Sequence, residues 1–200
     1  MQYSKYYHVY QRAIPADVCQ KIIEAGLALE QKPASVREGI SDADARQSTI
    51  AFFAAENPHH HWVFKLCEEW IRHANTNFFK FHLNRLESVQ FTRYQPGQYY
   101  GWHPDAFRDT HIEPRYKGMN RKLSMTLQLS PEGHYEGGDF QIELPWVSPE
   151  KMDERITTLT EAREQGTMIV FHSHLWHQVQ PITTGERFSL VAWYIGNDWV

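Results

Sequence analysis

The first residues whose types and spacing could do chemistry are His103 and Asp105, on either side of Pro104. Side chains two residues apart on an extended backbone project from the same face, so this imidazole and this carboxylate could reach one ion. Two histidines and one carboxylate on one face of an octahedron leave three positions open, which suits a non-haem Fe(II) centre. A His-x-Asp pair alone recurs by chance at protein surfaces, so a metal site needs a third ligand.

The C-terminal part of the chain offers both a third ligand and an anion-binding group. His177 is followed by a Thr-Thr-Gly turn and then by Arg187, which begins a strongly alternating segment. One face of that segment carries Arg187, Ser189, Val191 and Trp193, and the other carries Phe188, Leu190, Ala192 and Tyr194. A guanidinium on an inward face needs an anionic partner, because an unpaired buried charge is costly. A dicarboxylate co-substrate would supply it with bidentate geometry, and a structural salt bridge to a neighbouring acid is the alternative.

The elements that must position these residues change type once along the chain. Up to about residue 83 the pattern is largely helical, with helical spacing of apolar residues at 15–30 and 57–74 and a strand at 48–54 between them. From residue 87 the apolar residues alternate in short segments separated by turns, which indicates a β-sandwich or barrel. We expect one domain, with a helical support region at 1–83 and a β core at 84–200.

Composition limits the partners and the compartment. The chain carries 20 Lys and Arg against 24 Asp and Glu, a net charge of −4, and no window is strongly basic, so nucleic acid is not favoured as a partner. Cys19 and Cys67 are far apart and outside any CxxC pair, so a reducing cytoplasm is the simplest compartment. The first residues lack the apolar run of a signal peptide. No window reaches the roughly 18 apolar residues of a membrane span.

Four motifs occur in a specific order between about residues 86 and 193, slightly over half of the chain. They are Tyr94-Gln95-Pro96-Gly97 leading to His103-Pro104-Asp105, Arg121-Lys122-Leu123-Ser124 opening a strand, Gly137-Gly138-Asp139-Phe140, and His177 followed by Gly185-Glu186-Arg187. In this order and spacing the chain resembles the 2-oxoglutarate/Fe(II) dioxygenases, specifically the prolyl-4-hydroxylase-like (PKHD-type) branch. The resemblance implies a mainly β fold with flanking helices, in which a double-stranded β-helix (jelly-roll) core is supported by N-terminal α-helices.

The resemblance also implies roles for individual residues. His103, Asp105 and His177 would ligate Fe(II), and Arg187 would bind the distal carboxylate of 2-oxoglutarate. Ser189, two residues further on the same face, would assist Arg187. Two more positions concern the co-substrate: Tyr94 matches a family tyrosine near it, whereas Gln128 stands where some relatives have a tyrosine. The remaining hydrogen bonds to 2-oxoglutarate are therefore left open.

Other histidines are alternative candidates for the third metal ligand. His172 and His174 lie near His177, but neither has the ten-residue offset from Arg187 that the family pattern shows. Residues 59–61 are three consecutive histidines at the start of a helix, where successive side chains point in different directions. We therefore expect a solvated helix start at 59–61 and keep His177 as the third ligand.

The implied activity is hydroxylation of a C–H bond with Fe(II), 2-oxoglutarate and O₂, with ascorbate as a further possible cofactor. A prolyl residue in a peptide or protein is the favoured substrate. A free amino acid, another small molecule or an alkylated base is the alternative, and a metal- or ligand-binding jelly-roll sensor is the non-enzymatic one. The polar segment 104–120 directly follows two ligands, and we expect it to act as a lid through Arg108, Arg115 or Tyr116. The oligomeric state stays open.

Overall fold

The protein is mainly β, with helices packed beside its largest sheet. A computed structural model describes residues 6–34, 45–108, 111, 113–145, 152 and 155–198. Its helices are α1 (Ala16–Leu27) and α2 (His61–Ala74), the short 3₁₀ segments Pro58–His60, Pro114–Tyr116 and Thr160–Arg163, and a π turn at Asn75–Phe79. Within the described ranges, no helix has the length and apolar character needed to cross a membrane.

Fourteen strands of the described chain form three sheets. They are β1 (Tyr7–Tyr10), β2 (Lys32–Pro33), β3 (Arg46–Gln47), β4 (Thr49–Phe52), β5 (Arg85–Tyr94), β6 (Tyr99–His103), β7 (Met119–Gln128), β8 (Tyr135–Gly137), β9 (Phe140–Glu143), β10 (Ile156–Thr158), β11 (Met168–His172), β12 (His177–Val179), β13 (Ile182–Gly185) and β14 (Arg187–Asn197). The seven-stranded sheet has the order β1-β11-β7-β14-β5-β4-β2, and the five-stranded sheet has the order β10-β9-β12-β6-β3. A third sheet pairs β13 with β8.

Two hydrophobic cores lie on opposite faces of the seven-stranded sheet. The first packs α1 and α2 onto that sheet through residues such as Ile22, Ile71 and Phe91. Gly26 of α1 is needed there, because a Cβ on this residue would lie 2.5 Å from the Phe91 ring. The second core joins strands of the two larger sheets and contains, among others, Tyr94, Phe140, Ile142, Phe171 and Val179. The helices therefore support one face of the large sheet, and the other face is left to build a site with the smaller sheet.

The last strand carries side chains of two kinds, as its alternation predicts. Phe188, Leu190, Ala192 and Tyr194 all lie in or against the helix-side core, which confirms the predicted apolar face. Arg187 and Ser189 are buried without belonging to that core. Because successive strand residues project to opposite faces, these two polar side chains point toward the smaller sheet.

The N-terminal region is less helical than its pattern predicts. The two predicted helices and the predicted strand at 48–54, which is β4, are present with slightly shorter bounds, but β1, β2 and β3 are additional strands that were not predicted. The region before residue 84 therefore supplies strands at both edges of the seven-stranded sheet in addition to its helices. β1 is only four residues long, so its residue pattern is too short to identify a strand from the sequence alone.

Candidate active site

The predicted metal ligands come together between β6 and β12. His177 lies directly opposite His103 in the antiparallel ladder of these strands, and Asp105 follows the end of β6. One ligand atom from each of the three residues lies within 4.8 Å of the others. His177 Nε2 is 3.6 Å from one Asp105 carboxylate oxygen, and His103 Nε2 is 3.9 Å from the other. Among the described residues, no other group of three His, Cys, Asp or Glu side chains meets this geometry.

Backbone carbonyls orient both imidazoles. His103 Nδ1 lies 2.7 Å from the carbonyl oxygen of Gly101, and His177 Nδ1 lies 2.9 Å from that of Leu175. A carbonyl only accepts hydrogen bonds, so each Nδ1 carries the proton and each Nε2 presents a lone pair to the shared space. Burial, reinforced by the neighbouring His177, lowers the pKa of His103 to about 3, so its ring is neutral at physiological pH. The His103 ring is thus in the form that binds a metal ion.

Asp105 is held in place by its backbone and kept ionised by its surroundings. Its N–H donates to the carbonyl oxygen of Ser173 at 2.9 Å, which ties the end of β6 to the loop after β11. Burial opposes the charged form, but interactions with His177, His103 and Arg121 and a hydrogen bond with Ser124 outweigh it, and the pKa of Asp105 lies below its usual value. The Oδ2 atom is buried and has no hydrogen-bond partner within the described chain. Such an oxygen is available to a cation.

Arg187 is a buried cation that lacks a partner in the described part of the protein. It starts β14 opposite Tyr94 of β5, is 2% exposed, and its Nε and Nη1 atoms make no hydrogen bond to any described residue. The adjacent acid, Glu186, instead pairs with Arg93. The alternative of a structural salt bridge to this neighbouring acid is therefore not supported. An unpaired buried guanidinium is costly, so the arrangement calls for an anion from outside the chain.

The other residues expected at the co-substrate lie around Arg187. The Arg187 guanidinium carbon is 5.6 Å from the centre of the Tyr94 ring. Ser189 is buried and lies between Thr92 and Gln128 in the sheet. The Gln128 amide nitrogen donates to the Ser130 carbonyl at 3.2 Å, while its Oε1 has no partner among the described residues.

Sequence reasoning gave Tyr135 no role, yet the structure buries it beside this group. Its hydroxyl is buried without a hydrogen-bond partner in the described chain, and its ring belongs to the same core as Tyr94. Its place two residues before the Gly137-Gly138 turn is the one sequence signal that could have drawn attention to it.

The competing histidines occupy other environments. The His172 ring packs against those of Phe79 and Phe81, at centroid distances of 5.2 and 4.8 Å. Burial is the main reason that the pKa of His172 is lowered to about 4. His174 lines a separate surface cavity of about 330 Å³. His60 accepts a hydrogen bond from the Ala54 N–H at 3.1 Å, so it helps to begin a helix.

The segment predicted to be a lid is anchored at its C-terminal side. Tyr116 is buried with its ring 4.7 Å from that of His111, and His111 Nε2 lies 3.2 Å from a Glu87 carboxylate oxygen. Arg121 makes two 2.7 Å hydrogen bonds to Glu87 and lies 4.0 Å above the Trp193 ring. Tyr116 therefore packs against His111 in this arrangement, and substrate contact by Arg108, Arg115 or Tyr116 stays a prediction. Residues 109, 110 and 112 lie outside the described residues, and lid closure stays a prediction.

Comparison with known proteins agrees with this arrangement. The sequence profile described as the 2OG-Fe(II) oxygenase superfamily matches residues 89–195. A PKHD-type hydroxylase of Idiomarina loihiensis is 34% identical over 109 residues, which are 54% of this chain and 42% of that protein. A PKHD-type hydroxylase of Sphingopyxis alaskensis is 32% identical over 59% of this chain and 49% of its own length. The chain thus spans less than half the length of these two relatives.

Solved structures share the fold at low sequence identity. A Pseudomonas putida prolyl-4-hydroxylase superposes with a TM-score of 0.65 at 23% identity, covering 95% of this chain and 92% of that one. A Trichoplax adhaerens prolyl hydroxylase, solved with a hypoxia-inducible-factor peptide, gives 0.71 at 13% identity, covering 95% and 83%. The profile match covers more than half of the chain and includes all three converging side chains and Arg187. The protein therefore belongs to the 2OG-Fe(II) oxygenase superfamily.

Proposed function

We propose that this protein is a hydroxylase that binds Fe(II) through His103, Asp105 and His177 and binds 2-oxoglutarate through Arg187. The observation that carries the proposal is the meeting of two imidazoles and one carboxylate beside a buried arginine that lacks an anion among the described residues. Each orphaned group matches one partner: the Asp105 oxygen matches the metal ion, and the guanidinium matches a carboxylate. The two facing sheets would then form the double-stranded β-helix that the family resemblance implies.

Different residues would bind the metal ion and the co-substrate. When bound, Fe(II) and 2-oxoglutarate supply the activation of O₂ that hydroxylates a C–H bond. His103, Asp105 and His177 would hold the ion and leave open positions for the co-substrate and oxygen. Arg187 holds the distal carboxylate with charge-assisted hydrogen bonds, and Ser189 adds a hydroxyl on the same face. Because these groups are buried, they keep a preset geometry and exclude bulk water.

A prolyl residue in a peptide or protein is the substrate that we favour. Support comes from the PKHD-type names of the relatives and from the fold shared with two prolyl hydroxylases, one of them solved with a peptide. Free amino acids and other small molecules are the alternative for the same chemistry. Among these alternatives an alkylated base is less favoured, because the net charge of −4 provides little attraction for a polyanion.

The test is succinate formation from 2-oxoglutarate by the Fe(II)-loaded protein, with and without proline-rich peptides. We expect peptide-stimulated turnover and a gain of one oxygen in the peptide by mass spectrometry. Asp105→Ala should abolish turnover, whereas Asp17→Ala, which removes an exposed carboxylate on α1, should not. Full turnover by Asp105→Ala would contradict the proposed metal site. Turnover that responds only to small molecules would move the substrate to the alternative.

A further inference from the structure

Tyr135 carries an unexplained buried hydroxyl. The residue is 3% exposed, and its oxygen has no hydrogen-bond partner among the described residues. Leaving a buried hydroxyl without a partner costs free energy, so such groups in folded proteins usually serve a ligand or an ordered water. Resting on the function proposed above, we propose that Tyr135 donates a hydrogen bond to the distal carboxylate of 2-oxoglutarate, beside Arg187.

Gly138 shows that the two side chains are neighbours. A Cβ added to Gly138 would lie 3.2 Å from Arg187 Cδ and 3.4 Å from Tyr135 Cε2. Arg187 Cδ is bonded to the orphaned Nε, and Tyr135 Cε2 is one carbon away from the carbon that bears the orphaned hydroxyl. The Arg187 and Tyr135 side chains therefore both border Gly138, and the absence of a side chain on Gly138 lets them lie close to each other.

Strand pairing holds Tyr135 next to the start of β14. In the two-stranded sheet, Tyr135 of β8 pairs with Gly185 of β13, two residues before Arg187. On its other side, the Arg163 guanidinium lies 5.3 Å from the centre of the Tyr135 ring. Arg163 is itself held by Asp139 at 2.6 Å. The ring is thus placed by its surroundings before any co-substrate arrives.

Gln128 is less suited to the same role than Tyr135 in this arrangement. A carboxylate accepts hydrogen bonds and needs donors. One of the two amide N–H groups of Gln128 donates to the Ser130 carbonyl, and its unpartnered buried atom is the acceptor Oε1. Tyr135, in contrast, offers an O–H. Some relatives have a tyrosine at the position of Gln128 on β7. In this protein, Tyr135 on β8 would supply the hydroxyl instead.

The experiment separates the two ends of the co-substrate. Titration calorimetry of Mn(II)-loaded protein without oxygen measures binding of 2-oxoglutarate and of 2-oxobutyrate, which keeps the chelating 2-oxo acid but has no distal carboxylate. We expect Tyr135→Phe to weaken 2-oxoglutarate binding about 10- to 100-fold, the effect of one hydrogen bond to a charged group. Binding of 2-oxobutyrate should change less than about twofold.

A matched control is available in Tyr10, whose hydroxyl is also buried and unpartnered but which packs against the helix-side core. Tyr10→Phe should leave both ligands unaffected. Equal weakening of both ligands by Tyr135→Phe, or no weakening of either, would overturn the inference. A wild-type protein that does not prefer 2-oxoglutarate over 2-oxobutyrate would instead refute the proposed role of Arg187, and the Tyr135 inference would fall with it.

Discussion

Replacing Arg187 by methionine should have opposite effects on stability and on co-substrate binding. In the protein without ligands, the guanidinium is 2% exposed and lacks an ion pair to any described residue, so its burial opposes folding. Methionine has a similar length, needs no partner and adapts to irregular space. The same change removes the donors that 2-oxoglutarate would use. If Arg187 serves the ligand at the expense of folding stability, the substitution should raise the melting temperature and lower the affinity for 2-oxoglutarate.

The size of both effects follows from this environment. Exchanging a buried ionic group for an apolar one is neutral or stabilises by about 1 to 4 kcal/mol. In a domain of this size each 1 kcal/mol raises the melting temperature by about 2 to 4 °C. Loss of two hydrogen bonds to a carboxylate, at about 1.5 to 3 kcal/mol each, should weaken 2-oxoglutarate binding by more than about 100-fold.

Differential scanning calorimetry of the metal-free variant and titration calorimetry of its Mn(II)-loaded form measure the two quantities. Phe188→Met, on the opposite face of β14, is the matched control and should leave co-substrate affinity unchanged. A loss of several degrees in the melting temperature of Arg187→Met, with unchanged binding of 2-oxoglutarate, would refute a ligand-binding role for Arg187. That result would mean that Arg187 has a structural anion within the protein.

Three further predictions concern the surroundings of the site. Glu87→Gln removes the covered carboxylate charge that pairs with half-buried Arg121 and should cost about 3 kcal/mol in chemical denaturation; a loss below about 1 kcal/mol would show the pair to be solvated. Burial lowers the pKa of His172 to about 4 from 6.5, so as the pH falls the unfolded chain takes up the proton first and stability is lost between pH 6.5 and 4. With metal chelated, His172→Phe should flatten that acid slope by up to about 1.4 kcal/mol per pH unit, and an unchanged slope would contradict the shift. Gly138→Ala adds a methyl group into filled space at φ +66° and should lower the melting temperature more than Gly97→Ala, which has φ +84° but open space; equal losses would show that only the backbone conformation matters.

Part of the site could be predicted from short-range patterns and part from the family resemblance. His103 and Asp105 need only strand geometry to share a face, and the alternation after Arg187 shows which residues turn away from the helices. The choice of His177 over His172 came from the family resemblance, through its spacing to Arg187, and the structure places His172 among aromatic rings. Local periodicity thus indicates which side chains share a face, and the resemblance indicates which of them serve as ligands.

Features that depend on pairing between strands far apart in the sequence could not be predicted from local patterns. The strand β1 is recognisable only from its partner β11, which lies at the other end of the chain. Tyr135 gains its meaning from Gly138 and Arg187, which reach it through the pairing of β8 with β13. The sequence around Tyr135, a glycine-rich turn, does not indicate that this pairing buries its hydroxyl.

The position of His177 opposite His103 has a consequence for the resistance of the protein to unfolding and proteolysis. An ion bound there would act as a cross-link between two strands that are far apart in the sequence, and it would hold them in one register. A ligand that binds only the native state stabilises it in proportion to the logarithm of its concentration over its dissociation constant, by about 2.7 kcal/mol at a hundredfold excess. Iron starvation would then shorten the lifetime of the chain against proteases as well as halt its chemistry.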